Sequence, residues 1–392
     1  MRCLYIGPFR FPKGDAAAAR VLNNARILLT LGHDVRVLSF GGEKNDKWQE
    51  YEGIPYLVTS DMDTHSWKER FDRYIKPYPK CREIVKQLID DFDVLIFYNL
   101  TFSFSRWLIP FCKRFNKKLT VDVTEWYSAQ EMPGGRWSPI YWMSEYYMKH
   151  TLTIIPNRIL ISSYLANHYP QGNNILLPPL VDIQDAKWSP QGFDYPESVV
   201  KNQSIRVLYS GTPDNKDLLG QLIRATLAVL EESKKIQIIV AGVSEVQGLG
   251  FFEKEADYYE NKEHFVFLGR IPQDAVPAYY QIADFSAIIR ERTRKNMAGF
   301  PTKMAESMAA GCPVIASDFS DIVSYVEDGK NGILLNGCSV EAIVDGLKRI
   351  LALSPEQIKA MKDAAKQCGN DRFDYRNHIV SFDAFIKKAS QL

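Results

Sequence analysis

Short apolar runs alternate with helix-length amphipathic segments along almost the whole chain, and this alternation restricts the fold more than any other feature. RCLYIG (Arg2 to Gly7) leads into the helical AAAARVLNNARILLTLG, and HDVRVLSF, DVLIFYN, KLTVDV, RILISS and NILLPP follow. After a polar, Pro-containing interval from Trp188 to Ser204 the alternation starts afresh with IRVLYSG, IQIIVAG, FVFLG, FSAIIR and PVIAS. Strand, helix, strand, repeated in this way, builds parallel sheets. An α/β chain with two Rossmann-like parallel-sheet domains is expected, over residues 1–190 and 200–371, because 392 residues are long for one core. The last segment, FDYRNHIVSFDAFIKKAS, sets Ile379, Phe382, Phe385 and Ile386 on one helical face. It could serve either domain, and we assign residues 372–392 to the first.

Charge narrows the partners. Residues 1–183 carry 23 Lys/Arg against 19 Asp/Glu and the remainder 25 against 28, so a net +1 splits into +4 and −3. A net charge of +1 argues against a general nucleic-acid binder, and the asymmetry is mild. The six cysteines are scattered without close pairs, which fits a reduced, cytoplasmic setting. MRCLYIGPFR lacks the apolar core of a signal peptide and no run reaches membrane-spanning length, so membrane contact is expected to be peripheral, at the inner face of the cell membrane. Two segments favour it: RWLIPFCKRFNKK and RWSPIYWMSEYYMK interleave aromatic and basic residues, as half-buried helices also do.

In open parallel sheets ligands sit beyond the carboxyl ends of strands. Three such ends stand out. GPFRFPKGDAAAAR flanks a basic loop with Gly7 and Gly14; YSGTPDNKD runs from Tyr209 to Asp217; and AGFPTKMAESMAAGCPVIAS opens a helix from about Thr302 to Ala310. In the third, Gly299 permits close backbone approach, Pro301 suits a first turn, and the unbonded early amides attract anions. Lys303 stands where a helix tuned for stability would carry an acid, so phosphate is the natural guest. A capped core helix before a buried strand is the plainer reading. None of the three ends carries G-x-G-x-x-G or a P-loop.

YSGTPDNKDLLGQLIRA, FVFLGRIPQDAVPAYYQIADFSAIIR and GFPTKMAESMAAGCPVIASDFSDIVSYVEDGKNGILL, in this order and spacing, resemble the retaining nucleotide-sugar glycosyltransferases of family 4, of GT-B architecture. The carboxyl half matches closely, in the manner of a branch with GFPTK at this point; GHDVRVLSF and LPPLVD extend the likeness more loosely. The resemblance implies two sheet domains facing a central cleft, a nucleoside-diphosphate sugar as donor, and a saccharide or polyprenyl-linked acceptor, as in cell-surface polysaccharide synthesis. Of the family's two glutamates, separated by seven residues, the second is Glu306, facing ribose, whereas the first falls on Ala298. The family's Arg/Lys diphosphate pair falls on Thr212 and Lys216. Lys303, with Arg290 or Arg292 after FSAIIR, would supply the missing charge. The donor-binding positions so implied are Gly14, Gly211, Thr212, Gly269, Arg270, Arg292 and the stretch Ala298, Gly299, Phe300, Pro301, Thr302 and Glu306, with Lys303, Lys216 and Arg290 as the catalytic cations.

The chemistry is coherent in its own terms. Negative charge grows on the departing diphosphate, and cations with helix-end amides stabilise that state preferentially. No metal or other cofactor is then needed, although SDMDTH holds Asp61 and Asp63 in D-x-D spacing. Glu125, just past KLTVDV where the family often has a histidine, would contact donor hexose or acceptor; a plain loop acid reads the same. A nucleotide-sugar epimerase of similar fold, or a silent relative supporting a partner enzyme, are the alternatives. The loss at Ala298 keeps the second of these open.

Overall fold

The computed structural model describes residues 1–45, 47–59, 78–132, 134–188, 192–200, 204–213 and 217–391. It forms two compact units: Met1–Leu180 with Met297–Phe300 and Tyr375–Leu392, and Val181–Asn296 with Pro301–Asp374. Asp61, Asp63 and Lys216 lie outside the described residues.

The first unit is an eight-stranded sheet of β1 (Arg2–Gly7), β2 (Asp34–Ser39), β3 (Gln49–Tyr51), β4 (Ile54–Val58), β5 (Val94–Tyr98), β6 (Lys118–Val123), β7 (Asn157–Leu160) and β8 (Asn173–Leu176), in the order β3-β4-β2-β1-β5-β6-β7-β8. Neighbours are parallel except β3 and β4, a hairpin turning through Glu52 and Gly53, both at positive φ. The hairpin is absent from the apolar alternation because QEY carries no buried side chain.

Asp15 caps the Ala16–Thr30 helix by accepting from the Ala18 amide at 2.7 Å. On this helix Arg20 is buried against Asp122 of β6 at 2.9 Å, and the Tyr5 hydroxyl donates to the same carboxylate at 2.5 Å. Arg20 also donates to the carbonyls of Leu177 and Pro178, and Asn23 to that of Leu180, so the chain leaving the sheet is fixed at three successive points. A buried ion pair is tolerable when its remaining donors are satisfied in this way. The Ile379–Gln391 helix completes the core with Phe382, Phe385 and Ile386, and the Asn173 side chain donates to the Phe385 carbonyl at 3.0 Å.

The second unit is a parallel six-stranded sheet of β9 (Ile205–Ser210), β10 (Ile236–Ala241), β11 (Phe265–Gly269), β12 (Phe285–Ile288), β13 (Val314–Ser317) and β14 (Gly332–Leu335), in the order β11-β10-β9-β12-β13-β14. Strand order reverses between β9 and β12, and a crevice opens beyond the carboxyl ends at such a point. The division between units falls at Leu180/Val181, not inside Trp188–Ser204. The polar interval instead docks on the second unit: Trp188 is buried and donates to the Asp182 carbonyl at 2.6 Å, Gln281 donates to the Trp188 carbonyl, and Phe193 and Tyr195 pack on Tyr279. No helix among the described residues is long and apolar enough to cross a membrane.

Candidate active site

Three charged side chains meet where the strand order of the second unit reverses. Asp217, seven residues past the end of β9, accepts from Arg290 Nε at 2.5 Å on one carboxylate oxygen and from Lys303 Nζ at 2.9 Å on the other. The second oxygen also accepts from the Tyr209 hydroxyl at 3.1 Å. Side-chain exposure is 7% for Asp217, 12% for Lys303 and 13% for Arg290, so the cluster is largely removed from water. Burial pushes the Asp217 carboxyl upward, but Lys303 and Arg290 outweigh it and hold it at about 2. Lys303 is drawn below its ordinary range by burial, against which Asp217 keeps it charged. With one anion for two cations, the cluster carries a surplus positive charge.

Local sequence explains the placement. The Leu218 amide donates to the Ile289 carbonyl at 3.0 Å, tying the segment after β9 to the end of β12. Ser317, at the end of β13, accepts from the Arg290 amide and donates to its carbonyl, fixing the residue that carries the guanidinium. Lys303 lies 4.6 Å from the Tyr209 ring centroid and Arg290 5.6 Å from that of Phe319. The Thr302–Ala309 helix starts after Pro301 with no side-chain cap and no acid in its first turn, so its leading amides and Lys303 present the same sign of charge.

Glu306, one turn beyond Lys303, is half-buried, and among the described residues it has no hydrogen bond or ion pair. Burial raises its carboxyl, opposed by Lys187 and Lys303. Such a carboxylate is ready to accept hydrogen bonds from a ligand's hydroxyls.

Glycines line the carboxyl edge. Gly211 and Gly242 follow β9 and β10, and Gly269 ends β11, at φ of +127°, +108° and +67°, and the Gly242 amide donates to the Gly269 carbonyl at 2.8 Å. A Cβ on Gly242 would lie 2.4 Å from the Gly211 carbonyl oxygen, so no side chain fits there; a Cβ on Gly211 would lie 3.7 Å from Lys303 Nζ.

Among the expected residues, Lys303, Arg290, Gly211 and Glu306 belong to this crevice. Thr212 and Arg270 are exposed at the same sheet edge. Arg292 turns to Asp318 at 2.6 Å and leaves the acid to Arg290. Ala298 and Phe300 are buried and group with the first unit, as does Gly299; the Ala298 carbonyl accepts from Ser162 Oγ at 2.7 Å, so this position offers a ligand no side-chain donor or acceptor. Gly14 also lies in the first unit, in the loop whose Arg10 amide donates to Asp15. Glu125 follows β6 in that unit and accepts from the Tyr127 hydroxyl. Sequence reasoning missed Asp217, Tyr209, Gly242 and Ser317. The signal for Asp217 was an acid just ahead of a helix beyond a strand end, and for Gly242 a glycine directly after a buried strand. Among the described residues no group of three or more His, Cys, Asp or Glu could hold a metal.

Residues 193–368 match the model of the glycosyl transferases group 1 family. A GDP-mannose-dependent alpha-(1-6)-phosphatidylinositol monomannoside mannosyltransferase of Mycolicibacterium smegmatis is 32% identical over 117 residues, 29% of this chain and 30% of the relative. The match thus spans under a third of that protein's length. Among solved structures, sucrose-phosphate synthase from Thermosynechococcus elongatus aligns over 99% of this chain and 98% of its own with a TM-score of 0.73 at 15% identity. The Anabaena protein HepE, in complex with UDP and glucose, aligns over 99% of both chains with a TM-score of 0.70 at 13% identity. The likeness in fold to GT-B proteins therefore runs the length of the chain, and the match to the glycosyl transferases group 1 model lies, apart from Met297–Phe300, within its second unit.

Proposed function

We propose that this protein is a retaining, metal-independent glycosyltransferase that moves a sugar from a nucleoside-diphosphate sugar to a saccharide or lipid-linked saccharide, in the GFPTK branch of family 4. The observation that carries this reading is the Lys303–Asp217–Arg290 cluster beside an uncapped helix start. A diphosphate brings the charge that the surplus cation lacks, and that charge grows as the sugar–phosphate bond breaks. Lys303 and Arg290 face the phosphates, Glu306 accepts from the ribose hydroxyls, and the Gly211–Gly242 edge lets the nucleotide approach the backbone. Thr212 extends the phosphate-facing segment, and Lys216 keeps its proposed role as a further cation for the diphosphate. UDP and glucose in the HepE complex and GDP-mannose in the name of the mycobacterial enzyme support this donor class.

For a lipid-linked acceptor we place the protein in the cytoplasm, against the inner face of the cell membrane. Trp137, Trp142, Tyr146 and Ile154 are exposed beside Arg136 and Lys149, a mixture suited to an anionic interface. A catalytically silent supporting subunit is favoured by one observation, the buried Ala298 where the family has a carboxylate. Thermal-shift screening with UDP, GDP and their sugars, followed by labelled-sugar transfer to lipid extracts in excess chelator, separates the readings. Stabilisation with transfer supports the enzyme, stabilisation without transfer to any acceptor supports the silent subunit, and no response to any nucleotide refutes both.

A further inference from the structure

The first unit contains a cavity that the donor chemistry does not use. It lies at the carboxyl edge of β5 and β6, roofed by the Pro139–Tyr146 helix and the turn after it, and measures about 200 Å³. Phe102, Val121, Val123, Ile140, Met143 and Met148 make most of its wall. Glu125 is its one carboxylate, and no lysine, arginine or histidine among the described residues lines it. The edge is rigid: Asn99, at φ +47°, is locked to Thr124 by two hydrogen bonds of 2.7 and 2.9 Å, which sets Glu125 one residue further on. Burial and the neighbouring carboxylate keep the Tyr127 phenol protonated, so it donates to Glu125 throughout the physiological range. Thr101 and Tyr147, both in the wall, bury hydroxyl oxygens with no partner among the described residues.

We infer that this cavity binds an uncharged, mainly apolar alcohol of roughly single-ring size, its hydroxyl donating to Glu125. The volume fits, since an apolar cavity of about 150 Å³ takes up benzene. Charge selects: a carboxylate with no cation in the wall repels phosphates and carboxylic acids but accepts a hydroxyl. The methionines adapt to the shape of the apolar part. Treating this ligand as the part of the acceptor beside its sugar-accepting hydroxyl rests on the transferase reading; the binding site does not.

The test uses the whole protein and 4-methylbenzyl alcohol, with p-xylene and 4-methylbenzoate as comparison probes, by calorimetry and ligand-observed NMR. Saturable binding of the alcohol about tenfold tighter than p-xylene, with none for the benzoate, is expected. Met143→Trp, or Ile140→Trp should the first fail to fold, fills the cavity and should weaken the alcohol by tenfold or more. Glu125→Met should reduce the alcohol to the p-xylene level. No saturable binding of the alcohol, or undiminished binding in a folded cavity-filled variant, overturns the inference, as does benzoate binding as well as alcohol. UDP and GDP titrations on the same samples separate the outcomes: nucleotide binding without alcohol binding refutes only the cavity, and the converse refutes only the donor reading.

Discussion

Replacing Asp217 by Asn removes the anion that two largely buried cations share, and it should do two opposite things. The ligand-free protein should lose about 3 kcal/mol, because breaking a buried pair strands its partner charges. For a domain the size of the second unit that lowers the melting temperature by roughly 6–12 °C. Affinity for a nucleoside diphosphate should rise, since Asp217 is a negative charge beside the proposed phosphate site. At an effective dielectric constant near 20 and a separation of about 6 Å, removing one such repulsion is worth about 3 kcal/mol, or ~100-fold. The cations stay in place without the acid, because Lys303 rests against the Tyr209 ring and Arg290 against that of Phe319. Asp217 also opposes the lowering of Lys303 by burial, so the gain should shrink as pH rises and Lys303 loses its proton earlier in Asp217→Asn than in the parent. Calorimetric titration of UDP and GDP at low and high salt, beside melting curves, gives both quantities. If folded Asp217→Asn binds nucleoside diphosphates no better than the parent at pH 6.5, the cluster does not face a diphosphate.

The same residue governs acid stability. Its folded value of about 2 lies below the ordinary 3.8, so the stability it contributes is complete above about pH 4 and lost as pH falls toward 2. That is about 2 kcal/mol, visible as a steeper parent than Asp217→Asn profile in urea melts between pH 5 and 2. Glu306→Gln should weaken donor binding by about tenfold or more with little change in single-turnover rate, because ribose does not react. Burial raises the Glu306 carboxyl, so parent affinity should fall with decreasing pH beginning above the usual carboxylate range; a flat profile would remove the ribose role. Gly242→Ala forces a Cβ onto the Gly211 carbonyl at positive φ and should cost about 1–3 kcal/mol together with nucleotide binding, measured by melting and titration. Trp142→Ser with Trp137→Ser should reduce sedimentation with phosphatidylglycerol vesicles and leave the melting temperature unchanged, since both rings are already solvent-exposed.

Most of the fold was legible because buried parallel strands advertise themselves: IRVLYS, IQIIVA and VLIFY contain too many apolar residues for any exposed element. The β3–β4 hairpin escaped because its buried content is small, and the boundary at Val181 because aromatic side chains inside a polar stretch dock it onto the second unit. In the candidate site, Lys303 was visible as a misplaced charge at a helix start, a local contradiction that sequence alone exposes. Asp217 was not, for its meaning depends on Arg290 and Lys303, 73 and 86 residues away. Ala298 shows the converse: the family resemblance pointed to the position, but only the fold reveals that its carbonyl is held by Ser162.

The Ile379–Gln391 helix gives the two units different histories during synthesis. The strands of the first unit have all been made by Leu176, yet Phe382, Phe385 and Ile386, which cover its core, are made only after the whole second unit. At about 5–20 residues per second a ribosome needs on the order of 10–40 s to pass from one to the other. Late in that interval, once Asp374 is made, the second unit has everything it needs to fold, while the first still waits with an apolar face open to water. The unit made first is therefore finished last, and a nascent chain halted near Phe373 is the form most in need of a chaperone.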